Sequence, residues 1–511
     1  MSALLRTKSI DALIASSEEP EHRLKKTLGV GSLIALGIGA VIGSGIFTVT
    51  GTAAAGEHFL SKSILKAPVL DLLLNGGNAA ALNGRVGAGP AISVSFVLVA
   101  IACGFAAICY AELASMIPIA GSAYTYSYAT LGEIFAWIIG WDLILEYAFS
   151  NMSVAVGFSA YLNDILDNLF GFHLPKQLSQ PIFEEGQRTG AWFNLTAFIV
   201  LLILTYILVR GVRESAQTNN GMVIIKIVAI LLFVFGAMKA VNTGNWHPFM
   251  PHGYSGVLTG AAIVFFTYIG FDSVSTAAEE CGRPQRDMPV GIFATLAICA
   301  LLYGSVSLVL TGIANWSTLN NDAPVANALK MIGMNRLRLI VTAGALLGML
   351  SSLLVFQYGQ ARIWFAMSRD RLLPDVFSRV HPRFKTPHVS TWVAGFAVGI
   401  PAGIFDVSWF SDVSNIGTLF AFILVSAGVI VLRKKQPERP RGFRVPLVPL
   451  LPGISIVCCM VLMLSLPLET WIRFVAWLII GLGIYFSYSR KRTDKVFEGP
   501  GTQKVTPSAT V

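Results

Sequence analysis

The chain has 511 residues, of which 54% are hydrophobic and only 13% charged, with a mean hydropathy of +0.66. That much apolar surface excludes a water-soluble globule. The formal charge of +9 reads as a membrane-orientation signal and not as a nucleic-acid footprint, because the basic residues fall in short loops between apolar runs.

The first 26 residues are polar and charged and lack the short apolar core of a cleavable signal, so they read as a mobile cytoplasmic tail. A single transmembrane domain, 27–490, follows, and residues 491–511 form a second polar, cytoplasmic tail. Each crossing of about 30 Å of hydrocarbon needs about 20 mostly apolar residues. Twelve runs meet that need, near 31–54, 91–111, 134–162, 192–209, 222–240, 257–277, 290–314, 339–366, 392–405, 416–432, 445–464 and 471–488. Asp406 and Asp412 lie between the ninth and tenth. The external stretch 59–89, with several leucines and Asn75-Gly76-Gly77-Asn78, reads as a lid or a short amphipathic helix. The loop 369–388, carrying Pro374, Pro382 and Pro387, falls at the cytoplasmic face. From an inside start, 25 of the 37 lysines and arginines lie in cytoplasmic segments. Positive residues concentrate there in membrane proteins, so a multi-pass protein of the cell (inner or plasma) membrane with both termini cytoplasmic is expected. Five of six cysteines sit in apolar runs and the seven histidines form no cluster, so the sequence offers neither a disulfide framework nor a metal site.

Two spans are interrupted. Span one reads GIGAVIGSGIF, with Gly37, Gly39, Gly43 and Gly45, and span six reads FFTYIGFDSVSTAAEE, with Asp272 two residues after Gly270. Each opens a block of five helices. Segments weakened at matching places in two blocks of opposite orientation place a binding site near the bilayer midplane. Unwound backbone survives in hydrocarbon only where protein or a polar ligand covers it. N–H groups at Gly43, Ser44 and Gly45 would head a half-helix that favours a carboxylate. Carbonyls of Val41, Phe266 and Ile269 would accept from an ammonium, and the two together suit a zwitterionic amino acid. Close helix packing through small residues is the plainer use of such glycines.

GAVIGSGIF, YAELASMIPIAGSAYTYSYATLGE, GWDLILEY, FFTYIGFDSVSTAAEE with GRPQRDMPVGI, and YGQARIWFAMSRDRLLP together resemble the amino acid–polyamine–organocation superfamily, and most of all its cationic amino acid transporter branch. The resemblance covers nearly all of 23–492. It implies an all-α fold of the leucine-transporter type, a five-plus-five inverted repeat with two further C-terminal helices, and secondary active amino-acid transport by alternating access. It implies substrate contacts at Val41, Ile42, Gly43, Ser44 and Gly45 of span one and at Phe266, Ile269, Gly270, Phe271 and Asp272 of span six, with Phe266 or Phe271 as a gate. The insertion 59–89 departs from the shortest members of the family.

Charges inside spans are costly and mark function. Lys226 lies about 9 Å into span five along a helix, where it either snorkels to the cytoplasmic surface or, as the resemblance implies, stands where sodium-coupled relatives hold an ion; burial there suits a lysine to proton exchange, so coupling to protons is expected. Ser351 and Ser352 in span eight keep sodium as the competitor. Asp142 and Glu146 in span three share one helix face. With Asp272 they favour a substrate with a positive side chain, unless they are protonated or pair with Lys226 or Arg362. Phe356 would shape the far end of the pocket, or turn the preference to small neutral amino acids. Glu112, Glu279 and Glu280 are expected to pair with Arg283, Arg286 or the loop 369–371.

No nucleophile–base pair, HExxH or phosphate-binding loop is present, so an enzyme is disfavoured. The reading is a proton-coupled transporter of cationic or small neutral amino acids, with sodium-coupled or exchange transport as its rival and a membrane amino-acid sensor as the alternative from another class. Substrate and protons are the partners called for, with no cofactor, metal or nucleic acid.

Overall fold

The computed structural model describes residues 6–17, 28–58, 63–75, 84–119, 121–184, 187–210, 212–321, 323–384 and 386–497. His22, Gly76, Gly77, Asn78 and the last residues of the C-terminal tail lie outside the described residues.

Among the described residues, eight helices are long and apolar enough to cross a membrane: Gly89–Met116, Glu133–Phe170, Asn219–Ala240, Gly253–Glu280, Pro284–Ile313, Asn335–Arg369, Phe410–Lys435 and Leu468–Thr493. The shorter helices Val30–Val41, Leu195–Arg210, Leu450–Leu464 and His388–Ala402 occupy the remaining four apolar runs. The fold is therefore all-α, with two short strand pairs among the described residues, outside the spans. Span three outruns its apolar segment by a further two turns. It ends where Gly171, at φ 60°, takes the left-handed conformation and returns its N–H to Leu166 and Asp167.

The packing couples the two halves. Span two lies along span seven, three along eight, four along nine, and span one against the continuation of span six. Each partner stands five spans from its mate, as two interlocked blocks of five require.

Of the lid or short helix expected in the stretch 59–89, the described residues contain a short helix, and they add a strand pair that the sequence did not suggest. Gly56–His58 pairs antiparallel with Gly84–Val86, and a short helix, Val69–Asn75, lies between them. That helix is held to the turn between spans eleven and twelve: Val69 N–H donates to Leu466, and Leu468 N–H donates to Ala67.

Both described chain ends reach one face, where they meet at Glu133. Its N–H donates to the Arg6 carbonyl at 3.0 Å, and its carboxylate accepts from Tyr485 and Thr493 at 2.9 Å each. The N-terminal tail, expected to be mobile, is docked over residues 6–17. Ile10 and Leu13 are buried, and Lys8 pairs with Asp370 at 2.6 Å.

Candidate functional site

Both interruptions are real. The first half of span one stops at Val41. Ile42 leaves the helix at φ −84°, ψ 83°, and the chain turns irregularly through Thr48 before Val49–Ala55 resumes. Span six runs as Gly253–Val264, tightens over Phe265–Tyr268, breaks at Ile269-Gly270 and continues as a tight helix, Phe271–Glu280.

The breaks touch one another because glycine stands where they cross. A Cβ on Gly45 would lie 2.8 Å from Thr267 Cγ2 and 3.1 Å from its Cα. Gly270, at φ 116°, would push a Cβ to 2.7 Å from Ala40 Cβ. Space demands glycine at both positions, and at Gly270 the left-handed backbone demands it as well. Tyr303 of span seven ties the pair together, its hydroxyl reaching the carbonyls of Val41 at 2.8 Å and Thr267 at 2.9 Å. Sequence reasoning missed Tyr303, since a lone tyrosine in an apolar run gives no signal.

Lys226 does not snorkel. It is fully buried, and its Nζ donates to the carbonyls of Gly39 at 2.9 Å and Ile42 at 2.8 Å, with Ser351 Oγ at 3.5 Å. Ser352 Oγ donates to Gly39 at 2.7 Å and Ile42 at 3.1 Å, while Ser351 donates to Asn219 at 2.7 Å. The ammonium thus stands among the carbonyls that the break in span one exposes, beside two hydroxyls. Such convergent oxygen atoms suit a cation.

Some of the main-chain groups expected to face a ligand have partners within the protein. Gly43 N–H donates to Val41 at 3.0 Å, and the Phe266 carbonyl accepts from Ile269 N–H at 3.3 Å. Ser44 is fully buried and its hydroxyl has no partner. Gly45 lies beside Phe266, and Phe271 packs edge-on against Tyr110 and at a tilt against Phe422. Phe356 meets Tyr147 with ring centres 5.9 Å apart.

Asp142, Glu146 and Asp272 are each at most 1% exposed, and none of their carboxylate oxygens has a hydrogen-bond partner. Asp142 is turned to span ten, where Gly417 leaves room for it. The sequence offered Lys226 or Arg362 as partners for these acids, but Lys226 is held by carbonyls and Arg362 pairs with Glu280 at 2.6 Å. The acids near the terminal face also choose differently from expectation. Glu280 takes Arg362 and the Tyr358 hydroxyl, at 2.8 Å, in place of the neighbouring loop arginines. Glu112 takes Arg433 and Arg441. These arginines are remote in sequence, and only the convergence of helix ends brings them within reach.

On the insertion side a cavity of about 780 Å³ reaches the end of the break in span one, lined by Thr48 and Val49 of that span, Gly157 of span three and Ile263 in the first half of span six. Arg85 and Asp412 stand in its wall.

The model of the amino acid permease family matches residues 28–485. The chain is 45% identical to the methylthioribose transporter of Bacillus subtilis (strain 168), over 96% of this chain and 99% of the relative. It is 46% identical to the branched-chain amino acid permease BcaP of the same organism, over 96% and 98%. It is 32% identical to the chloroplastic cationic amino acid transporter 9 of Arabidopsis thaliana, over 80% and 83%. Taken with the paired breaks, these matches identify a multi-pass membrane transporter and not an enzyme, and the chain belongs to the amino acid permease family of the amino acid–polyamine–organocation superfamily.

Proposed function

We propose that this chain is a secondary active transporter that carries an amino acid by alternating access and draws on the proton gradient. The observation that carries the reading is Lys226, an ammonium seated against the Gly39 and Ile42 carbonyls where the first helix breaks. A sodium ion would need the same convergent oxygens. A covalently attached cation there removes the need for one, and a lysine can give up and regain a proton. The substrate lies between the breaks. Val41, Ile42, Gly43, Ser44 and Gly45 frame its charged end from span one, Phe266, Ile269, Gly270, Phe271 and Asp272 face it from span six, and Glu146 and Phe356 bound its variable end.

Both chain ends lie on the cytoplasmic side of the cell membrane, the placement that the lysine and arginine distribution favours. The cavity on the opposite side then faces the exterior. The relatives carry names for a methylthioribose, for branched-chain amino acids and for cationic amino acids, and identities of 45% and 46% do not choose between the first two.

The test is uptake of labelled amino acids into proteoliposomes of the purified chain. Accumulation without sodium that follows an imposed pH gradient is expected. Strict dependence on sodium would refute proton coupling, and binding without accumulation would make the protein a sensor.

A further inference from the structure

Lys226 shares its surroundings with a polar pair that the amino-acid site does not use. Ser351 Oγ donates to Asn219 Oδ1 at 2.7 Å, and the same oxygen stands 3.5 Å from Lys226 Nζ. Asn219 opens span five about two helical turns before Lys226, so one serine of span eight bridges two residues of one helix. All three side chains are 3% exposed or less. Gly39 leaves the room for the pair, since a Cβ there would lie 2.9 Å from Asn219 Oδ1 and 3.2 Å from Ser351 Oγ. The Asn219 carboxamide is oriented by its other partner. Its Nδ2 faces the Ala35 carbonyl at 3.5 Å, an oxygen that can only accept, which leaves Oδ1 for the serine.

A serine hydroxyl has one hydrogen, and where that hydrogen points decides what the oxygen offers elsewhere. With it held by Asn219, Ser351 turns a lone pair to Lys226. An ammonium can use that lone pair, because two of its N–H groups go to Gly39 and Ile42 and the third is directed at Ser351. An amine cannot. Once its proton has passed to water, the lysine keeps two hydrogens for the two carbonyls and presents a lone pair to the lone pair of Ser351. Relief requires Ser351 to reverse its hydrogen toward Nζ and give up the bond to Asn219. The Gly39 carbonyl, at 3.5 Å, is the poorer rival for that hydrogen. Span seven adds the Cys299 thiol near the lysine, while spans one and eight bring it carbonyls and hydroxyls.

We propose that Asn219 is a positioning residue for coupling: by holding the Ser351 hydrogen away from Lys226 it favours the ammonium over the amine, and so sets the pH at which the lysine exchanges its proton. The proposal rests on the part given to Lys226 under Proposed function. A carboxamide that merely tied span five to spans one and eight would slow transport when removed, but it would leave that pH where it was.

The test is exchange of labelled for unlabelled leucine, with lysine as the second probe, in proteoliposomes of the full chain held at equal pH on both sides. The midpoint of the pH profile is the readout, and Cys299 is kept in every variant so that its contribution cancels. In Asn219→Ala the freed Ser351 hydrogen can serve the amine, so the midpoint should fall by about one pH unit, the tenfold change that one ordinary hydrogen bond is worth. In a Ser351→Ala background the same substitution should move it no further. Asn219→Asp keeps the acceptor, so its midpoint should stay or rise, and this variant carries the test if Asn219→Ala does not fold. An unmoved midpoint in Asn219→Ala, an equal shift without Ser351, or a fall in Asn219→Asp would overturn the proposal while leaving Lys226 its part. If neither probe is exchanged, if the unaltered chain has no midpoint, or if Lys226→Ala keeps it, the underlying coupling reading fails, and this proposal falls with it.

Discussion

Arg85 Nη1 donates to Asp412 Oδ1 at 2.9 Å, joining residues 327 positions apart, while Arg85 Nε donates to Glu57 at 2.7 Å. The guanidinium is 4% exposed and fastens the strand pair of the insertion to the start of span ten, in the wall of the cavity. Removing one member of such a buried set strands the charges that remain, at a cost of about 3–5 kcal/mol. Arg85→Met should therefore lower the melting temperature. It should also speed labelling of a cysteine placed at Thr52, which lines the cavity. Unchanged melting and labelling would show that the insertion is held by its helix alone.

Glu57 gives this fastening a pH dependence. Burial raises its carboxyl above the ordinary value of 4.5, outweighing the attraction of Arg85, and Asp412 adds to the rise. Between the ordinary and the raised value, the folded chain keeps a proton that the unfolded chain has released. The stabilisation is thus present at the acid side of this window and fades as pH rises through it. The melting temperature of the unaltered protein relative to Glu57→Gln should accordingly fall on going from about pH 4.5 to neutrality. A difference that is flat or rises with pH would reverse the sign of this argument.

Lys226→Ala removes two charge-assisted hydrogen bonds, each worth about 1.5–3 kcal/mol, from the carbonyls of Gly39 and Ile42. Uptake driven by a pH gradient should be lost. The vacated oxygens, with Ser351 and Ser352, should make residual substrate binding responsive to sodium. Transport that still follows the pH gradient in this variant would remove Lys226 from coupling.

The contact between the two breaks leaves no room for a methyl group. Gly45→Ala meets Thr267 at 2.8 Å, and Gly270→Ala adds a side chain at φ 116° and 2.7 Å from Ala40. Strain and overpacking of this kind cost about 1–3 kcal/mol each. Both variants should abolish uptake or reduce it severely, with lowered thermal stability. Gly104→Ala, whose added Cβ meets nothing within 4 Å, should behave as the unaltered chain. Equal uptake in all three would show that the crossing of spans one and six is not the transport site.

Much of the architecture was legible because a bilayer simplifies the problem. Apolar runs of spanning length fix where helices lie, and the unwound segments announced themselves through glycines in GIGAVIGSGIF and the Gly270–Asp272 step. Of the four shorter helices, Val30–Val41 is short for a readable reason, since it stops at its own break. The ion-pair partners were not legible. Glu112 and Glu280 each had several cations within plausible reach along the chain, and sequence distance favoured the wrong ones.

What the sequence determined by itself is the class: a multi-pass helical transporter with paired interruptions, because hydropathy and glycine placement are local properties written residue by residue. What only the tertiary structure decided is the company each polar group keeps. Tyr303 spanning two breaks, Lys226 turned inward to Gly39 and Ile42, and Arg85 closed on Asp412 all depend on angles and distances between helices. Those follow from how twelve similar apolar surfaces pack together, which no run of adjacent residues encodes.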